Sequence, residues 1–141
     1  MTSKAQLSGM RGVYLVAAEL TRLGFIVSPT SRSAQGADLL VTDPDCRRAF
    51  SVQVKTGTNY YTSWWVNEQA KERQSESHIY VFINLRQTKK RGEEHEFYVV
   101  PSRAVSDKMR YGKTGGAEGY EFFMADAKPY KDKWSLFGER A

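Results

Sequence analysis

Cysteine is almost absent from this chain, and long apolar runs are missing. Cys46 is the only cysteine in 141 residues, which excludes an internal disulfide framework and a zinc site built from several cysteines. No stretch approaches the ~20 apolar residues that span a bilayer. The apolar stretch from Val13 to Ala18 is too short for a secretory signal and is interrupted by Glu19. We therefore expect a cytoplasmic protein with no membrane association.

The sequence also lacks the residue patterns of other classes of catalytic site. The two histidines, His78 and His95, sit singly without metal-ligand spacing, so each is expected to be a surface or hydrogen-bonded histidine. No serine or cysteine lies in a recognisable nucleophile motif. Positive charge is in excess, since 21 lysines and arginines against 16 acidic residues give a net charge of +5, which suits a polyanionic partner without requiring one. The length predicts a single domain over residues 1–141.

An amphipathic helix is predicted from Leu7 to Leu23. Ser8 is its expected N-cap, and Gly24 stands where a left-handed residue commonly ends a helix. The segment Phe25–Val27 predicts a short strand. Apolar residues at helical spacing would face the core: Met10, Val13, Val16, Ala17, Leu20 and Leu23.

Two later segments carry polar groups that could act together. Asp38 leads directly into the apolar run Leu39–Val41, and Phe50–Lys55 alternates apolar and polar residues with period two, as a half-buried strand does. The alternation places three polar residues on one face: Ser51, Gln53 and Lys55. If the strands pair through the turn 42–48, a carboxylate, an amide oxygen and an ammonium group meet at the sheet surface. Those are the parts of a metal-dependent phosphodiesterase site.

Each part alone also has an ordinary structural explanation. A strand with three polar residues on one face is commonly a strand with a solvated side, and an aspartate after Gly-Ala is commonly a turn residue or a cap. The order and spacing of the parts behind an amphipathic helix favour the phosphodiesterase interpretation.

The order of these segments resembles the PD-(D/E)XK nuclease superfamily, and within it the resolvase-like and intron-endonuclease-like branches. The similarity covers about residues 9–101. Gly12–Leu23 is similar to the family's first helix, Gly36–Asp38 to the motif with the first acid, and Gln53–Lys55 to the (D/E/Q)-x-K element. The resemblance implies an α/β restriction-endonuclease-like fold, with a mixed β-sheet flanked by helices and the core order α-β-β-β-α-β.

The resemblance also implies a role for each site residue. Asp38 and the Gln53 side-chain oxygen would bind Mg²⁺ or Mn²⁺, together with the Val54 carbonyl and waters. The metal would polarise the scissile phosphate and lower the pKa of an attacking water. Lys55 would orient that water or neutralise charge on the phosphate; the alternative for Lys55 is a solvated lysine. Asp38, Gln53 and Lys55 are therefore the candidate catalytic residues.

Two positions depart from the family pattern. Many relatives carry a metal-assisting glutamate directly after the glycine of the first helix, where this chain has Val13. Glu19 lies six residues further on, roughly 240° around the helix, and points to another face. Gln53 replaces the usual acid and brings no charge. Asp38 is then the only certain anionic ligand, so metal affinity should be weak.

Basic and aromatic residues around these segments are candidates for contact with DNA. Arg32 and Gln35 precede Asp38, although an ordinary polar loop is an equal alternative. Two further predicted loops are basic, which is also common for solubility alone: one has Arg86, Lys89, Lys90 and Arg91, and the other has Lys108, Arg110 and Lys113. Four aromatic residues follow the Gln53 strand: Tyr60, Tyr61, Trp64 and Trp65. They could stack on bases, with core packing expected for at least two.

The rest of the chain predicts the elements that complete the sheet. The nearly all-apolar segment Ile79–Ile83 belongs in the middle of a sheet, and a hairpin should join it to Phe97–Val100. Helices and strands are predicted at Asn67–Gln74 (helix), at Ser102–Met109 (helix, with Ser102 as its cap), at Tyr120–Met124 (strand) and near Lys128–Trp134 (helix).

Two hypotheses about function follow, and they belong to different classes. The first is an Mg²⁺-dependent DNA endonuclease, with branched or otherwise structured DNA as a candidate substrate. A homodimer is a further expectation, because relatives that cut both strands often dimerise. The second is a nuclease-derived module that binds nucleic acid or a protein partner without cutting. Val13 and Gln53 keep the second hypothesis open, since function depends on the site and not on the fold alone.

Overall fold

The computed structural model describes residues 2–31, 36–58, 62–88 and 92–138. Within these ranges no helix is both long and apolar enough to cross a bilayer. Short 3-10 helices occur at Glu68–Lys71, Lys128–Tyr130 and Trp134–Phe137. The α-helices and strands are, in chain order, α1 (Lys4–Arg22), β1 (Ile26–Pro29), β2 (Leu39–Thr42), β3 (Ala49–Thr58), β4 (Ser63–Val66), β5 (His78–Thr88), β6 (Gly92–Pro101), α2 (Ser102–Lys108), β7 (Arg110–Thr114), β8 (Ala117–Phe123) and α3 (Met124–Ala127).

A five-stranded sheet with the order β1-β2-β3-β5-β6 organises the fold. Neighbouring strands are antiparallel except β3 and β5, which run parallel. A parallel pair needs a crossover connection, and β4 and the 3-10 helix Glu68–Lys71 lie within it. Strand β2 pairs with β3 only from Leu39↔Val52 to Thr42↔Ala49. Beyond Val52, β3 therefore continues without β2 along that edge.

One face of the sheet packs against α1. The β3 and β5 residues that point to this face alternate along each strand, as period-two patterning requires. The shared core contains Val16, Leu20, Leu39, Val41, Phe50, Val52, Val54, Ile79, Val81 and Ile83.

Gly12 brings α1 very close to β3. A Cβ atom at this position would lie 2.0 Å from Thr56 Oγ1 and 3.3 Å from Ile83 Cδ1, and real side chains do not approach so closely. The absence of a side chain at Gly12 thus allows the N-terminal half of α1 to lie beside the part of β3 that continues past β2.

A second sheet, with the order β4-β8-β7, covers part of the opposite face. Aromatic rings fill the space between the sheets, with centroid separations of 5.0 Å for Trp64–Phe82 and 4.8 Å for Phe82–Phe122. Trp64 also donates its indole N–H to the Ile83 carbonyl at 3.0 Å. Core packing is confirmed for Trp64, whereas Trp65 is 43% exposed. Tyr60 and Tyr61 lie outside the described residues.

The predicted mixed sheet flanked by helices is confirmed, and α1, β1, β2, β3, β5, β6 and α2 lie close to their predicted positions. One part of the predicted core order is wrong. A single 3-10 turn, Glu68–Lys71, stands in place of the helix predicted at Asn67–Gln74, and β4 precedes it.

The predicted cap of α1 is also wrong. The helix begins at Lys4 because Ser3 and Gln6 form a capping box. Ser3 Oγ accepts the Gln6 backbone N–H at 3.2 Å, and Gln6 Oε1 accepts the Ser3 N–H at 2.9 Å. Ser8 consequently lies inside the helix. Gly24 has φ +97° and is the left-handed residue that the sequence predicts.

The segment after β6 differs from expectation in two ways. The Ser102 hydroxyl does not cap α2; it donates to the Ser75 carbonyl at 2.7 Å and accepts the Ser75 N–H at 2.9 Å. The segment predicted as a basic loop between residues 108 and 113 instead contributes to β7, which pairs with β8. The second sheet is therefore a feature that the sequence pattern did not predict.

The tight contact at Gly12 predicts a stability effect with an internal control. Gly12→Ala should lower the free energy of unfolding by about 1–3 kcal/mol, because a methyl group there overpacks the interface. Gly9→Ala, in the same helix, meets no heavy atom within 4 Å and should stabilise by up to about 1 kcal/mol through helix propensity. Urea unfolding of both variants measures this. Equal effects at the two positions would contradict the packing described.

Candidate functional site

Asp38 directly precedes β2, and hydrogen bonds of its backbone N–H and C=O fix its position. Its N–H donates to the Val52 carbonyl at 2.7 Å, and its carbonyl accepts the Thr30 N–H at 3.0 Å. Thr30 also donates its hydroxyl to the Ala37 carbonyl at 2.7 Å. These contacts fix the direction in which the Asp38 side chain leaves the backbone.

The Asp38 carboxylate completes the exposed edge of β3. Its Oδ2 atom accepts the Val54 N–H at 2.7 Å and the Gln53 side-chain N–H at 3.2 Å. Because β2 ends at Leu39↔Val52, no backbone carbonyl of β2 is opposite Val54. The carboxylate therefore takes the place of the next strand residue as acceptor, and this brings Asp38 against Gln53.

Lys55 lies two residues after Gln53 on the same face of β3. Partial burial lowers the pKa of the Lys55 ammonium, and the neighbouring Asp38 carboxylate raises the pKa against that effect. Burial is the larger influence. The structure thus brings together the three predicted catalytic residues, with the negative charge of Asp38 acting on the positive charge of Lys55.

A cavity of about 560 Å³ opens beside Asp38 and Gln53, and Lys55 is not among the described residues that line it. Asp38, Gln53 and Val54 line it on the sheet side, and Val13 lines it from α1. Val13, the position at which the family resemblance leads one to expect a glutamate, therefore shares a cavity with Asp38. Glu19 is paired with Arg22 on a later turn of α1 and does not line this cavity.

The donor set of the cavity offers few charges to a hard cation. Asp38 is the only acidic residue among the described residues that line it, and no cluster of three or more His, Cys, Asp or Glu suited to a metal occurs in the described ranges. The Gln53 amide nitrogen lies 3.2 Å from Asp38 Oδ2. Neighbouring oxygen ligands of an octahedral Mg²⁺ are about 3.0 Å apart, given ligand distances of about 2.1 Å. If the Gln53 amide rotates so that Oε1 takes the place of Nε2, the separation between Oε1 and Asp38 Oδ2 matches that value. The two side chains therefore fit a divalent cation that has one carboxylate among its ligands.

Most residues predicted to contact DNA lie outside the described residues, and those contacts stay predictions: Arg32, Gln35, Lys89, Lys90 and Arg91. Three of the described basic residues from the two predicted loops lie beside acids. Arg86 lies 3.6 Å from Glu96, Arg110 lies 3.7 Å from Asp126, and Lys113 lies 3.9 Å from Glu118.

A further polar pair, Ser51 and His78, lies next to the site and was not among the predicted site residues. His78 Nδ1 lies 2.7 Å from Ser51 Oγ, which is a hydrogen-bonded histidine as expected. Its partner, however, is one of the polar residues on the site face of β3. The parallel register Ser51↔His78 brings them together. No local pattern contains that register, so the sequence offered no signal for the pair.

No protein-family model matches the sequence, and no curated protein matches it. Solved structures do match. Hjc, a Holliday junction resolvase from the archaeal hyperthermophile Archaeoglobus fulgidus, has a TM-score of 0.57 and 11% identity over 94% of this chain and 98% of that chain. The bacterial homing endonuclease I-Ssp6803I has a TM-score of 0.53 and 16% identity over 96% of this chain and 91% of that chain.

The chain shares the fold of these proteins. At such identities the likeness concerns the fold alone, and the predicted restriction-endonuclease-like fold class is confirmed by it. Both neighbours match nearly the whole chain, so the residues of the Asp38 cavity lie within the shared architecture.

The electrostatic coupling of Asp38 and Lys55 predicts a titration shift. Asp38→Asn keeps an acceptor for the Val54 N–H but removes the charge that stabilises the Lys55 ammonium. The pKa of Lys55 should therefore fall further below its ordinary value. NMR titration of the Lys55 side-chain signals in metal-free buffer measures this. Asp45→Asn, the same change in the exposed turn between β2 and β3, serves as the control and should leave the titration unchanged. An unaltered Lys55 titration in Asp38→Asn would mean that the two charges do not interact.

Proposed function

We propose that this protein is a metal-dependent DNA endonuclease that hydrolyses phosphodiester bonds at the Asp38 cavity. The observation that carries the proposal is the contact between the Asp38 carboxylate and the Gln53 amide at 3.2 Å, with Lys55 on the same face of β3 and an open cavity beside them. The fold shared with a resolvase and a homing endonuclease supports it. The net charge of +5 suits DNA as the partner.

The metal would be held by Asp38 and by Gln53 Oε1, with the Val54 carbonyl as a third ligand. In an extended strand the N–H and C=O of one residue point to the same edge, and the Val54 N–H already faces Asp38. When bound, Mg²⁺ or Mn²⁺ supplies Lewis acidity toward the phosphate and lowers the pKa of a water. With a single carboxylate among the ligands, binding should be weak and should depend on phosphate oxygens from the DNA.

The protein's own residues would orient the phosphate and balance its charge. Lys55 would donate hydrogen bonds from Nζ to a phosphate oxygen and offset the negative charge that develops there. Partial burial strengthens this interaction because the local dielectric is lower than in water. The Val54 N–H and the backbone contacts of Asp38 keep the carboxylate from turning away, so the site is already ordered before DNA binds.

The preferred substrate is proposed to be branched or otherwise structured DNA. The support is the resemblance of the Gly36–Asp38 and Gln53–Lys55 motifs to the resolvase-like branch, together with the fold shared with a Holliday junction resolvase. Arg32 and Gln35, which precede Asp38, and the basic triplet Lys89, Lys90 and Arg91 are proposed to contact the DNA backbone.

A second candidate function is a nucleic-acid or protein-binding module that does not cut. The observation that favours it is Val13, an apolar side chain lining the cavity where relatives place a glutamate. Gln53 adds no charge either. A site with one carboxylate could bind a phosphate backbone while holding a metal too weakly for turnover.

A cleavage assay separates the two candidates. Linear, nicked, single-stranded and four-way DNA are incubated with the protein and Mg²⁺ or Mn²⁺. The nuclease proposal expects metal-dependent cutting, strongest on the structured substrate, and a loss of about 10²-fold or more in Lys55→Ala, because a transition-state donor is removed. Lys71→Ala, which removes a lysine that does not line this cavity, is the matched control. Cutting that persists in both Asp38→Ala and Lys55→Ala would refute the assignment of this site.

Val13→Glu offers a gain-of-function test of the same site. The new carboxylate would enter the Asp38 cavity, strengthen metal binding and raise Mg²⁺-dependent cleavage above that of the natural protein. Without a cation, a partly buried glutamate should destabilise the fold by about 1–3 kcal/mol. Mg²⁺ should restore the melting temperature by mass action.

The controls for this test are Val13→Gln and a double variant. Val13→Gln has the same size without the charge and should show neither the gain in cleavage nor the Mg²⁺-dependent rise in melting temperature. Val13→Glu with Lys55→Ala should lose the gain in cleavage but keep the metal-dependent stabilisation. A folded Val13→Glu protein that neither responds to Mg²⁺ nor cuts DNA would favour the non-cutting module.

A further inference from the structure

A second cavity, of about 450 Å³, lies beside Gly36 and Ala37, the two residues that precede Asp38. Gly36, Ala37, Ser51, Arg73 and His78 are among the residues that line it. Ala37 directly precedes Asp38, and Ser51 lies two residues before Gln53 on the same face of β3. The second cavity is therefore lined in part by the same two segments that carry Asp38 and Gln53.

Arg73 presents its guanidinium group to this cavity. The group packs directly over Gly36, since a Cβ atom at residue 36 would lie only 2.1 Å from Arg73 Nη1. Gly36 also has φ +80°, which side chains disfavour. Within the described ranges, Arg73 makes no hydrogen bond or ion pair. Arg73 adds its positive charge to the burial that lowers the pKa of His78, and acts against the burial that raises the pKa of Tyr80. It is thus a half-buried cation whose five N–H donors are available to a ligand.

The Ser51–His78 pair supplies a second donor. His78 is only 8% exposed, and burial together with the Arg73 charge lowers the pKa of its imidazole, which keeps the ring neutral. A neutral ring carries one N–H. Nε2 is buried without a hydrogen-bond partner, so a proton there would be an unsatisfied donor. The proton is better placed on Nδ1, where it is donated to Ser51 Oγ at 2.7 Å.

This tautomer leaves the Ser51 hydroxyl hydrogen available to the cavity. Its protein acceptor is the Ser77 carbonyl at 3.5 Å, which is long for an O–H···O hydrogen bond. A phosphate oxygen in the cavity would be a stronger acceptor. Arg73 and Ser51 together therefore offer a planar cation and a neutral donor, the combination that recognises a phosphate group. The acidic lining residue, Glu72, is exposed.

We propose that Arg73 and Ser51 form a subsite for the DNA phosphate next to the one held at Asp38. Residues two apart on a strand are separated by about 6.6–7 Å, which suits one nucleotide step of a strand that lies along β3 from Ser51 to Gln53. The subsite rests on the proposed function, because the neighbouring phosphate belongs to DNA positioned at the Asp38 cavity. It would fix the register of the DNA strand over Asp38 and Lys55.

Equilibrium binding of a fluorescent four-way DNA in EDTA tests the subsite without any cutting. The salt dependence of affinity is measured for the natural protein, Arg73→Gln and Arg47→Gln. Arg47, exposed in the turn between β2 and β3, is the matched control because both changes remove one positive charge. Arg73→Gln should weaken binding about tenfold and reduce the log–log salt slope by about 0.9, the value for one phosphate contact, beyond any change in Arg47→Gln. Equal slopes and affinities for the two variants would overturn the proposal.

Two further variants keep the test decisive if Arg73→Gln lowers the melting temperature. Arg73→Lys keeps the charge but loses the planar fork, so affinity should fall while the salt slope is retained. Ser51→Ala removes a neutral donor, so affinity should fall by about threefold to tenfold with an unchanged slope. Full affinity in both variants would overturn the proposal.

Neutral methylphosphonate substitutions in the DNA identify the phosphate concerned. One position should weaken binding by the natural protein and have no additional effect on Arg73→Gln. If every position weakens both proteins equally, no phosphate depends on Arg73 and the subsite is refuted. A natural protein that binds DNA but does not cut it with Mg²⁺ or Mn²⁺ would refute the nuclease reaction only, since the binding measurements still decide the subsite.

Discussion

The hydrogen bond from the Val54 N–H to Asp38 Oδ2, at 2.7 Å, is the contact on which the site depends. It exists because β2 stops before it reaches Val54, and an edge amide that is partly buried needs an acceptor. The Asp38 carboxylate in that position accepts the Val54 N–H and also lines the cavity. The site therefore exists because β2 pairs with β3 only as far as Val52. If β2 paired further along β3, a backbone carbonyl would accept the Val54 N–H in place of the carboxylate.

The helix α1 sets the other wall of the same cavity, and its position depends on Gly12. Because the backbone at Gly12 lies against Thr56, the next residue, Val13, is brought to the cavity that Asp38 lines. The two features are coupled, since a bulkier residue 12 would move Val13 away from the site. The apolar side chain of Val13 therefore lines the cavity without adding a charge to it.

The parts of the structure that local patterns encode were predictable. The period-two alternation of β3 placed Gln53 and Lys55 on one face, and the short connection to β2 placed Asp38 beside them. The true start of α1 was also readable, because Ser3 and Gln6 have the spacing of a capping box. Ser8, by contrast, is followed three residues later by Arg11 and lacks the second half of that motif.

The parts that depend on contacts between distant segments were not predictable in this way. Strands β4 and β7 have only four and five residues, too few to show a period, and Gly112 within β7 lowers its strand propensity. Their partner is β8, which is far from β4 in sequence. The meeting of Ser51 with His78, and of Gly36 with Arg73, likewise depends on how the crossover returns the chain to β5.

The parallel pairing of β3 with β5 has a consequence for the order of folding. The antiparallel pairs β1–β2, β2–β3 and β5–β6 join segments that are near neighbours in sequence, whereas Ser51↔His78 joins residues 27 positions apart. Loop-closure entropy opposes such a contact until other interactions offset it, so high-separation contacts slow folding. The Asp38–Gln53 contact can form within the locally folded strands β1, β2 and β3. The contacts of Ser51 with His78 and of Gly36 with Arg73 can form only after the crossover connection packs against the sheet. The two halves of this surface are thus expected to be assembled at different stages as the chain folds.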